Sequence, residues 1–305
     1  RPILWEEDAA AAAPQPGTAG AGPGTRGAYR LKAVQLLRRV EDPSAVQVLQ
    51  RTARGHADPM VRREAIEALG NRRDGDAYQA LTTLYQGEPS VNARRYITEA
   101  IGDYRQTEQQ SDAAAYLARV ARQDEDAEVR EEALGELVRF PAEVAMSHLT
   151  GLLESTSDAD ARRLVLSAIA RSEDPSRVQI LAREARSGEE RVRRTAVDLL
   201  GRIDGPEALD AIIAVANSAD APESVRLEAI EGIGNFEGSK ATGALIGIAR
   251  SPAPVRVRRE AVDEFGDRME PEALTALEEI SRGGDDLSIR EEAIGEMSRW
   301  GSRAV

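Results

Sequence analysis

Apolar residues recur along most of this chain with the spacing of an amphipathic helix. A clear example is VRREAIEALG (61–70), whose apolar positions are Val61, Ala65, Ile66 and Leu69. Intervals of three and four residues place such side chains on one helix face. Asp58 and Pro59 precede the stretch and are typical of a helix N-terminus. The pattern predicts a helix over 59–69, with Gly70 as a left-handed C-terminal cap.

The same ten-residue pattern occurs nine times, each time with an arginine in second place. These arginines follow one another at intervals of 32, 32, 36, 32, 31, 33, 32 and 32 residues. So regular a period predicts a solenoid of stacked repeats. The copies occupy 29–38, 61–70, 93–102, 129–138, 161–170, 192–201, 225–234, 257–266 and 289–298.

Each period also contains a second helix. In four copies a proline follows thirteen residues after the arginine, as expected at the first turn of a new helix, and these are Pro43, Pro175, Pro206 and Pro271. We therefore predict an all-α fold, an α-α superhelix of about eight helix pairs plus a terminal helix, seventeen helices in total and no sheet. Four more glycines share the place of Gly70 and are expected to cap their helices too: Gly102, Gly201, Gly234 and Gly266.

The beginning of the chain has a different composition. Residues 1–26 combine an apolar patch around Trp5 with a run rich in Ala, Pro and Gly, which is typical of a flexible linker. The alternative is a tethered docking peptide built on Trp5. Residues 27–305 form the predicted solenoid. A chain that starts at Arg1 is expected to be processed or partial; the cytoplasm and export both fit, and the linker-like beginning favours export.

The repeated arginines fall inside the apolar stripe. If each arginine is position zero, the apolar positions are −1, +3, +4 and +7, and position zero lies among them. A charge on the packed side needs a partner, so we predict a structural row, largely buried and bonded to acids or carbonyls at helix ends. Asp58 and the acids at equivalent places are expected partners; the alternative is an anion-binding row. The row comprises Arg62, Arg94, Arg130, Arg162, Arg193, Arg226, Arg258 and Arg290.

The positions that point away from the packed stripe are +1, +2 and +5. Arginine and tyrosine are enriched at binding hot spots, so residues of these types there are candidate contacts to another protein or peptide. The alternative is a face of salt bridges that satisfy one another. The predicted partner-binding residues are Arg63, Arg95, Tyr96, Arg163 and Arg194. Tyr96 is the predicted anchor, whereas Tyr78, Tyr85 and Tyr116 are expected to fill the core.

One repeat is longer than the others. The interval of 36 residues between Arg94 and Arg130 places four extra residues around 104–111. Because the pattern resumes in register at Val129, we predict a longer loop within an unbroken array. Loops tolerate insertions at small entropic cost, so deletion of 106–109 is expected to leave stability nearly unchanged.

Composition narrows the chemistry. The chain has 40 Lys+Arg against 53 Asp+Glu, a net charge of −13, and the half after residue 152 alone carries −9. Nucleic-acid binding needs clustered positive charge, so none is expected, and a partner is expected to dock with polarity. With no cysteine and two histidines, no metal or cofactor site is expected. The chain contains no run of about 20 apolar residues, so membrane insertion is not expected.

The repeat resembles the short bacterial HEAT repeat with a D-x-x-V-R-x-x-A-x-x-A-L-G core, shared with the phycobilin-lyase HEAT-like family. Asp58 to Gly70 and the equivalent residues carry the resemblance, which covers about residues 27–305. It implies an armadillo-like helical solenoid with the V-R helices on the concave side, among them 59–69, 127–137 and 191–200. Its partners and oligomeric state are left open by the repeat.

The resemblance also bears on activity. Deoxyhypusine hydroxylase is a HEAT protein that binds iron through His-Glu pairs, whereas here Ala57 follows His56 and Leu149 follows His148. The chain also lacks phosphate-binding, dinucleotide-binding and Ser-His-Asp motifs. The predicted function is a non-enzymatic scaffold that binds a protein segment on its concave surface. The alternative is a bilin-lyase-like or chaperone-like subunit that acts on a partner protein.

Overall fold

The computed structural model describes residues 23–268, 270–283 and 286–303, and in these ranges every regular element is helical. Seventeen α-helices and one 3₁₀ turn, Asp103–Gln106, lie in these ranges. The helices are α1 Pro23–Leu37, α2 Pro43–Gly55, α3 Pro59–Arg72, α4 Gly75–Gln86, α5 Val91–Gly102, α6 Gln110–Gln123, α7 Ala127–Val138, α8 Ala142–Ser155, α9 Ala159–Arg171, α10 Ser176–Arg186, α11 Glu190–Leu200, α12 Pro206–Ala216, α13 Glu223–Gly234, α14 Ser239–Ala249, α15 Val255–Gly266, α16 Pro271–Arg282 and α17 Leu287–Arg303.

The helices form two layers. Each odd-numbered helix packs against the next odd one, and each even-numbered helix packs against the odd helices before and after it. The prediction of an all-α solenoid of eight pairs plus a terminal helix is confirmed. Helix α1 begins at Pro23, within the segment set apart as 1–26, and residues 1–22 lie outside the described part of the chain.

Local sequence signals set the helix starts. Asp42 and Asp58 accept hydrogen bonds from the first turns of α2 and α3, and a proline occupies the first turn of both helices. The interior between the layers is aliphatic and rich in alanine, with Ala65, Leu69 and Leu166 fully buried. Small side chains at every third or fourth position let neighbouring helices approach closely.

None of the glycines at position +8 forms a left-handed cap, which corrects the prediction from sequence; Gly201, at the end of α11, has a right-handed φ of −63°. Gly70 lies inside α3, and the left-handed residue at that helix end is Arg73, with φ of 57°. Among the described glycines, positive φ occurs at Gly188, Gly205 and Gly238. The glycines at +8 instead lie where successive odd helices touch. A Cβ atom on Gly70 would lie 2.9–3.0 Å from Ala100, so glycine is needed for close approach rather than for a turn.

This close approach bears on the shape of the array. Successive odd helices pack together more tightly than successive even helices do. At α11 and α13 a Cβ on Gly201 would come within 3.2 Å of the Gly232 Cα, so the two backbones are nearly in contact. An array that is compressed on one side curves toward that side, which makes the odd helices the inner layer.

The inserted residues after α5 are packed, which differs from the predicted loop. Tyr104 in the 3₁₀ turn is fully buried, and its hydroxyl lies 3.3 Å from the carbonyl oxygens of Leu69 and Asp74. Its ring meets that of Tyr78 at 5.3 Å between centroids. The four extra residues therefore bring a large side chain back onto the preceding repeat, and the insertion forms part of the core.

Candidate functional site

The position-zero arginines bind the ends of the even helices. Arg226 Nε donates to the Ala216 carbonyl at 3.0 Å, and Arg258 Nε to the Ala249 carbonyl at 2.8 Å. These carbonyls end α12 and α14, where no helical N–H is left to bind them and the helix dipole is negative. Equivalent bonds to main-chain carbonyls are made by Arg62, Arg94, Arg130, Arg162, Arg193 and Arg290.

Arg94 and Arg162 of this row also hold carboxylates. Arg94 forms a paired contact with Asp124, with Nε and Nη2 at 2.9 and 3.1 Å from its two oxygens, and Tyr85 donates its hydroxyl to the same carboxylate. Arg162 binds Glu184. The arginine and Tyr85 hold the pKa of Asp124 below its usual value although burial acts to raise it.

The row is less buried than the stripe position suggested. Arg94 and Arg226 are 6 % and 8 % exposed, whereas the other six are half-buried. The reason is the length of the side chain, which carries the guanidinium out to the turn between helices. Asp58, Asp126 and Asp158 cap the helices that follow them, accepting bonds from main-chain N–H groups.

The +1 arginines pair across successive inner helices. Arg95 on α5 binds Glu132 and Glu128 on α7, with each nearest N–O distance 3.1 Å. Arg194 on α11 binds Glu228 on α13 at 2.8 Å, and Arg259 on α15 binds Glu292 on α17. Apart from the Arg95–Glu128 contact, each of these pairs joins position +1 of one repeat to position +2 of the next. We call this set the inner-face row.

Tyr96 takes part in the same row. It stands at +2 on α5, and the guanidinium carbon of Arg63 lies 4.5 Å from its ring centroid. Arg63 also binds Glu67 one turn further along α3, at 2.6 Å. The predicted anchor is therefore half-buried beneath a cation, an arrangement that holds both side chains in place.

Arg163 and Arg194 line one small cleft between α9 and α11. The cleft has a volume of about 220 Å³ and is also lined by Arg191, Thr195 and Glu228. Arg163 Nε donates to the Thr195 hydroxyl at 2.9 Å, where other repeats place a carboxylate. Of the five predicted residues, these two share a cleft, whereas Arg63, Arg95 and Tyr96 form a second group on α3 and α5.

The inner-face row is interrupted in the middle of the array. Position +1 of α7 is Glu131 instead of arginine, and position +2 of α9 is Leu164. At this interruption a cleft of about 410 Å³ opens across α7, α9 and α11. Its floor is aliphatic, formed by Leu134, Leu164, Ala170, Leu199 and Ile203. We call it the central cleft.

Charged residues stand at the rim of the central cleft. Glu131, Arg171 and Arg202 line it together with the apolar floor. Arg202 binds Asp198 at 2.9 Å, and Arg171 and Glu131 are exposed. The sequence did not predict this cleft, because a leucine at +2 is common in helices. The feature that could have indicated it is Glu131, which stands at +1 where neighbouring repeats have arginine.

A second unusual feature is a group of acids at the C-terminal end. Asp263, Glu292 and Glu296 offer carboxylate oxygens within 4.8 Å of one another, and Glu296 is fully buried. Burial raises the pKa of Glu296 to about 7, and it also raises that of Glu264 to about 7. Arg259 binds Glu292, and Arg299 binds Glu296 and Asp263, so all three members of the group have a cationic partner. These contacts make it part of the inner-face row.

The two histidines have separate surroundings. His56 follows α2, and its Nδ1 accepts the Asp58 N–H at 3.0 Å, so it takes part in the turn. His148 lies half-buried on α8. In the ranges that the structure describes, none of the helices combines the length and apolar character needed to cross a lipid bilayer.

Comparison with known families identifies the repeat. The family model for HEAT repeats matches residues 25–91, 84–170, 152–223 and 212–298. No curated protein sequence matches the chain.

The solved structure of Kap121p shows the same fold. Kap121p bound to Pho4p is similar with a TM-score of 0.52 and 15% identity, over 92% of this chain and 36% of that chain. This chain thus spans about a third of Kap121p. Human deoxyhypusine hydroxylase has a TM-score of 0.37 and 18% identity, covering 85% of this chain and 97% of that one. The CpcE–CpcF complex of phycocyanin lyase from Nostoc has 0.34 and 20%, covering 82% and 98%. Only the first score bears on the fold.

Proposed function

The chain belongs to the HEAT-repeat family, and we propose that it is a non-enzymatic scaffold that binds a segment of another protein along its inner layer. The observation that carries the proposal is the central cleft. It is an apolar depression on a face that is otherwise occupied by paired charges. A surface of this kind fits an apolar side chain of a partner while the charges around it fix its direction.

The lining of the cleft supports binding rather than catalysis. Ser167 supplies the hydroxyl group in the cleft lining, and this hydroxyl donates a hydrogen bond to the Arg163 carbonyl at 2.9 Å. Its other polar groups are the rim charges Glu131, Arg171 and Arg202. A nucleophile with an adjacent base, the usual arrangement for covalent catalysis, is not among these lining residues.

The surroundings suggest the chemistry of the bound segment. Arg163, Arg191 and Arg194 lie beside the central cleft on α9 and α11, and Arg171 stands at its rim. We propose an extended or helical segment with one large apolar residue in the cleft and an acidic residue near it. The proposed surface continues toward α3 and α5, where Arg63, Arg95 and Tyr96 form the second group of contacts.

Site-specific photo-cross-linking tests where the partner binds. A photoreactive amino acid replaces Ser167 in the central cleft or, as the matched control, Ala214, which is exposed on α12 in the outer layer. We expect position 167 to cross-link to one defined segment of a partner in the native cell, and position 214 to give no such product. Equal products from both positions would place the partner elsewhere.

Substitutions then test the chemistry. Leu164→Asp places a charge on the apolar floor and is expected to abolish the cross-link, since an unpaired charge on a desolvated surface opposes binding. Tyr96→Ala combined with Arg95→Glu probes the second group, and Ala214→Asp is the control. Melting temperatures measured in parallel identify variants that fail to fold. Retention of the product by folded Leu164→Asp contradicts the proposal.

A further inference from the structure

The N-terminal end of the array exposes apolar side chains at two positions that most later repeats bury. In α1, Tyr29 at position −1 is 72% exposed and Leu36 at position +6 is 57% exposed. At −1, six of the eight later repeats carry a residue that is 2% exposed or less, namely Val61, Val129, Val192, Val225, Val257 and Ile289. The other two carry Ala93 and Ala161, which are half-buried. At +6 they carry, for example, Ala68 and Ala100, at 3% and 4%.

The cause of this difference is position in the array. Residues at +6 touch the preceding inner helix, as Ala100 touches Gly70. Helix α1 has no helix before it among the described residues, so its equivalent face is open. A solenoid needs a polar outer face or a cover at its ends. On later inner helices the equivalent face is covered by the preceding inner helix, whereas on α1 it is uncovered among the described residues.

The charge of this face is positive. Tyr29, Ala33 and Leu36 follow one another at helical spacing on one side of α1, and Val40 continues the apolar surface in the turn beyond it. Lys32 lies on the same side, three residues after Tyr29, and Arg39 follows the helix end. Both are exposed. A ligand for the face thus needs apolar side chains next to acidic ones.

We propose that residues 3–8 of the same chain, Ile-Leu-Trp-Glu-Glu-Asp, dock on this face of α1. The segment places Ile3, Leu4 and Trp5 directly before three consecutive acids. Its apolar part matches Tyr29, Leu36 and Val40, and its acids match Lys32 and Arg39. The docked segment takes the place that a preceding repeat has elsewhere in the array and closes its open end.

The connecting chain is long enough for this contact. Fourteen residues, 9–22, separate the segment from the start of α1 at Pro23. A chain of that length has a root-mean-square span of roughly 20 Å. Tyr29 and Leu36 lie about 9 and 20 Å along the helix from Pro23, at the helical rise per residue. The effective concentration of the tethered segment is therefore in the millimolar range, enough to populate a weak contact.

A second copy of the chain is the competing occupant. At the other end, α17 exposes Leu287 and Ile294 beside Glu291, so one molecule could stack its last helix on the α1 face of another. Head-to-tail stacking depends on concentration, whereas docking of residues 3–8 does not. The tethered segment is favoured because it is joined to the face, and dilution separates the two cases.

Trp5 reports on the contact directly. The chain has two tryptophans, so Trp300→Phe leaves Trp5 as the only one. We expect its emission to be blue-shifted, and less accessible to acrylamide, than in the free peptide of residues 1–8. Leu36→Asp, which changes an exposed residue, is expected to return both signals to the peptide values. The matched control is Ile294→Asp, an equally exposed change on α17, which leaves them unaltered.

The outcomes separate the alternatives. Lys32→Glu with Arg39→Glu is expected to reduce the blue shift, as is added salt. Emission like that of the free peptide in the parent protein overturns the proposal. A blue shift that disappears on dilution, or in Ile294→Asp, also overturns it, because Trp5 would then be buried by contact with a second molecule rather than by α1 of its own chain. If Trp300→Phe fails to fold, the difference spectrum between the parent chain and Trp5→Ala gives the same information.

Discussion

At the scale of single residues, the position-zero arginines explain how the C-terminal carbonyl groups of the even helices are satisfied. Each even helix ends in carbonyls that have no helical partner, and the next inner helix brings an arginine to them. The side chain packs its methylene groups in the apolar stripe and leaves the guanidinium at the turn. The same arginine thereby fills space in the apolar stripe and donates a hydrogen bond to a carbonyl at the helix end.

The first prediction concerns Arg226. Its replacement by methionine keeps the packed stem but leaves the Ala216 carbonyl unpaired in a buried place. We expect a loss of about 1–3 kcal/mol in the free energy of unfolding, the penalty of an unsatisfied buried group. Denaturant unfolding followed by circular dichroism measures it. Arg256→Met removes an exposed salt bridge to Glu223 and is the control, with a change of about 0.5 kcal/mol or less. Equal effects would show that the buried carbonyl bond adds nothing.

The second prediction concerns the buried Glu296, which packs against Gly266 and faces Arg299, Asp263 and Asp267. Burial raises the pKa of Glu296 from 4.5 to about 7, so the folded chain holds a proton in this window that the unfolded chain releases. Stability from this group is therefore present below pH 4.5 and declines as the pH rises to about 7.

Replacement of Glu296 by glutamine removes this dependence. We expect the variant to gain about 1–3 kcal/mol relative to the parent between pH 4.5 and pH 8, since one pKa unit corresponds to about 1.4 kcal/mol. Thermal melts across that range measure the gain. Glu272→Gln, an exposed acid on α16, controls for net charge. A Glu296→Gln curve parallel to the parent curve would mean that Glu296 is ionised throughout.

At the scale of helices, the third prediction separates two kinds of glycine. Gly70 and Gly243 both lie inside helices, where alanine is intrinsically better by about 1 kcal/mol. A Cβ on Gly70 would press on Ala100, including its main chain, whereas a Cβ on Gly243 would meet nothing within 4 Å. We expect Gly70→Ala to destabilise the chain by about 1–3 kcal/mol and Gly243→Ala to stabilise it slightly. Denaturant midpoints of the two variants, if shifted in the same direction, would contradict the close-approach explanation.

The fourth prediction concerns the insertion. Tyr104 is fully buried against the second repeat, so Tyr104→Ala is expected to lower the free energy of unfolding by about 3–5 kcal/mol. Tyr104→Phe keeps the ring and removes two long hydrogen bonds of 3.3 Å, with an expected loss of about 1 kcal/mol or less. Calorimetry measures both. A Tyr104→Ala variant as stable as the parent would restore the view of a loop outside the core.

The sequence predicted the elements well because the repeat supplies nine independent copies of the same signal. Helix starts followed from Asp–Pro pairs such as Asp58–Pro59, which act locally. The reason for a glycine at position 70 could not be predicted from the sequence, because the atoms that leave no room for a Cβ there belong to Ala100 in the next repeat. The burial of Tyr104 was missed for the same reason, since the two carbonyl groups near its hydroxyl lie 35 and 30 residues earlier.

The candidate site was predictable only in part. Arg163 and Arg194 line one cleft, as residues of a shared face do, and their part in binding a partner stays a prediction. Whether an arginine is free or paired depends on the residue at +2 of the next helix, as in the Arg194–Glu228 pair. That register between helices is a property of the stacking and cannot be obtained from one repeat alone.

At the scale of the whole molecule, each repeat touches only its neighbours, so stability is transmitted along the array one interface at a time. Helices α1 and α17 each pack against two other described helices, whereas α9 in the middle packs against four. The fifth prediction follows from this geometry. Hydrogen exchange is expected to be fastest in α1 and α17 and slowest across α7 to α11.

Removal of packing from the middle tests whether the array behaves in this way. Leu166→Ala empties a fully buried position on α9 and is expected to cost about 2–5 kcal/mol. In a nearest-neighbour array the loss of protection is centred on α7 to α12, while α2–α3 and α15–α16 keep most of theirs. Exchange followed by mass spectrometry resolves these segments. A uniform loss of protection from α2 to α16 would instead show that the array unfolds as one unit. The pairs of the inner-face row bridge neighbouring repeats, as Arg95 and Glu132 do, so these pairs would then be the contacts to test as the cause.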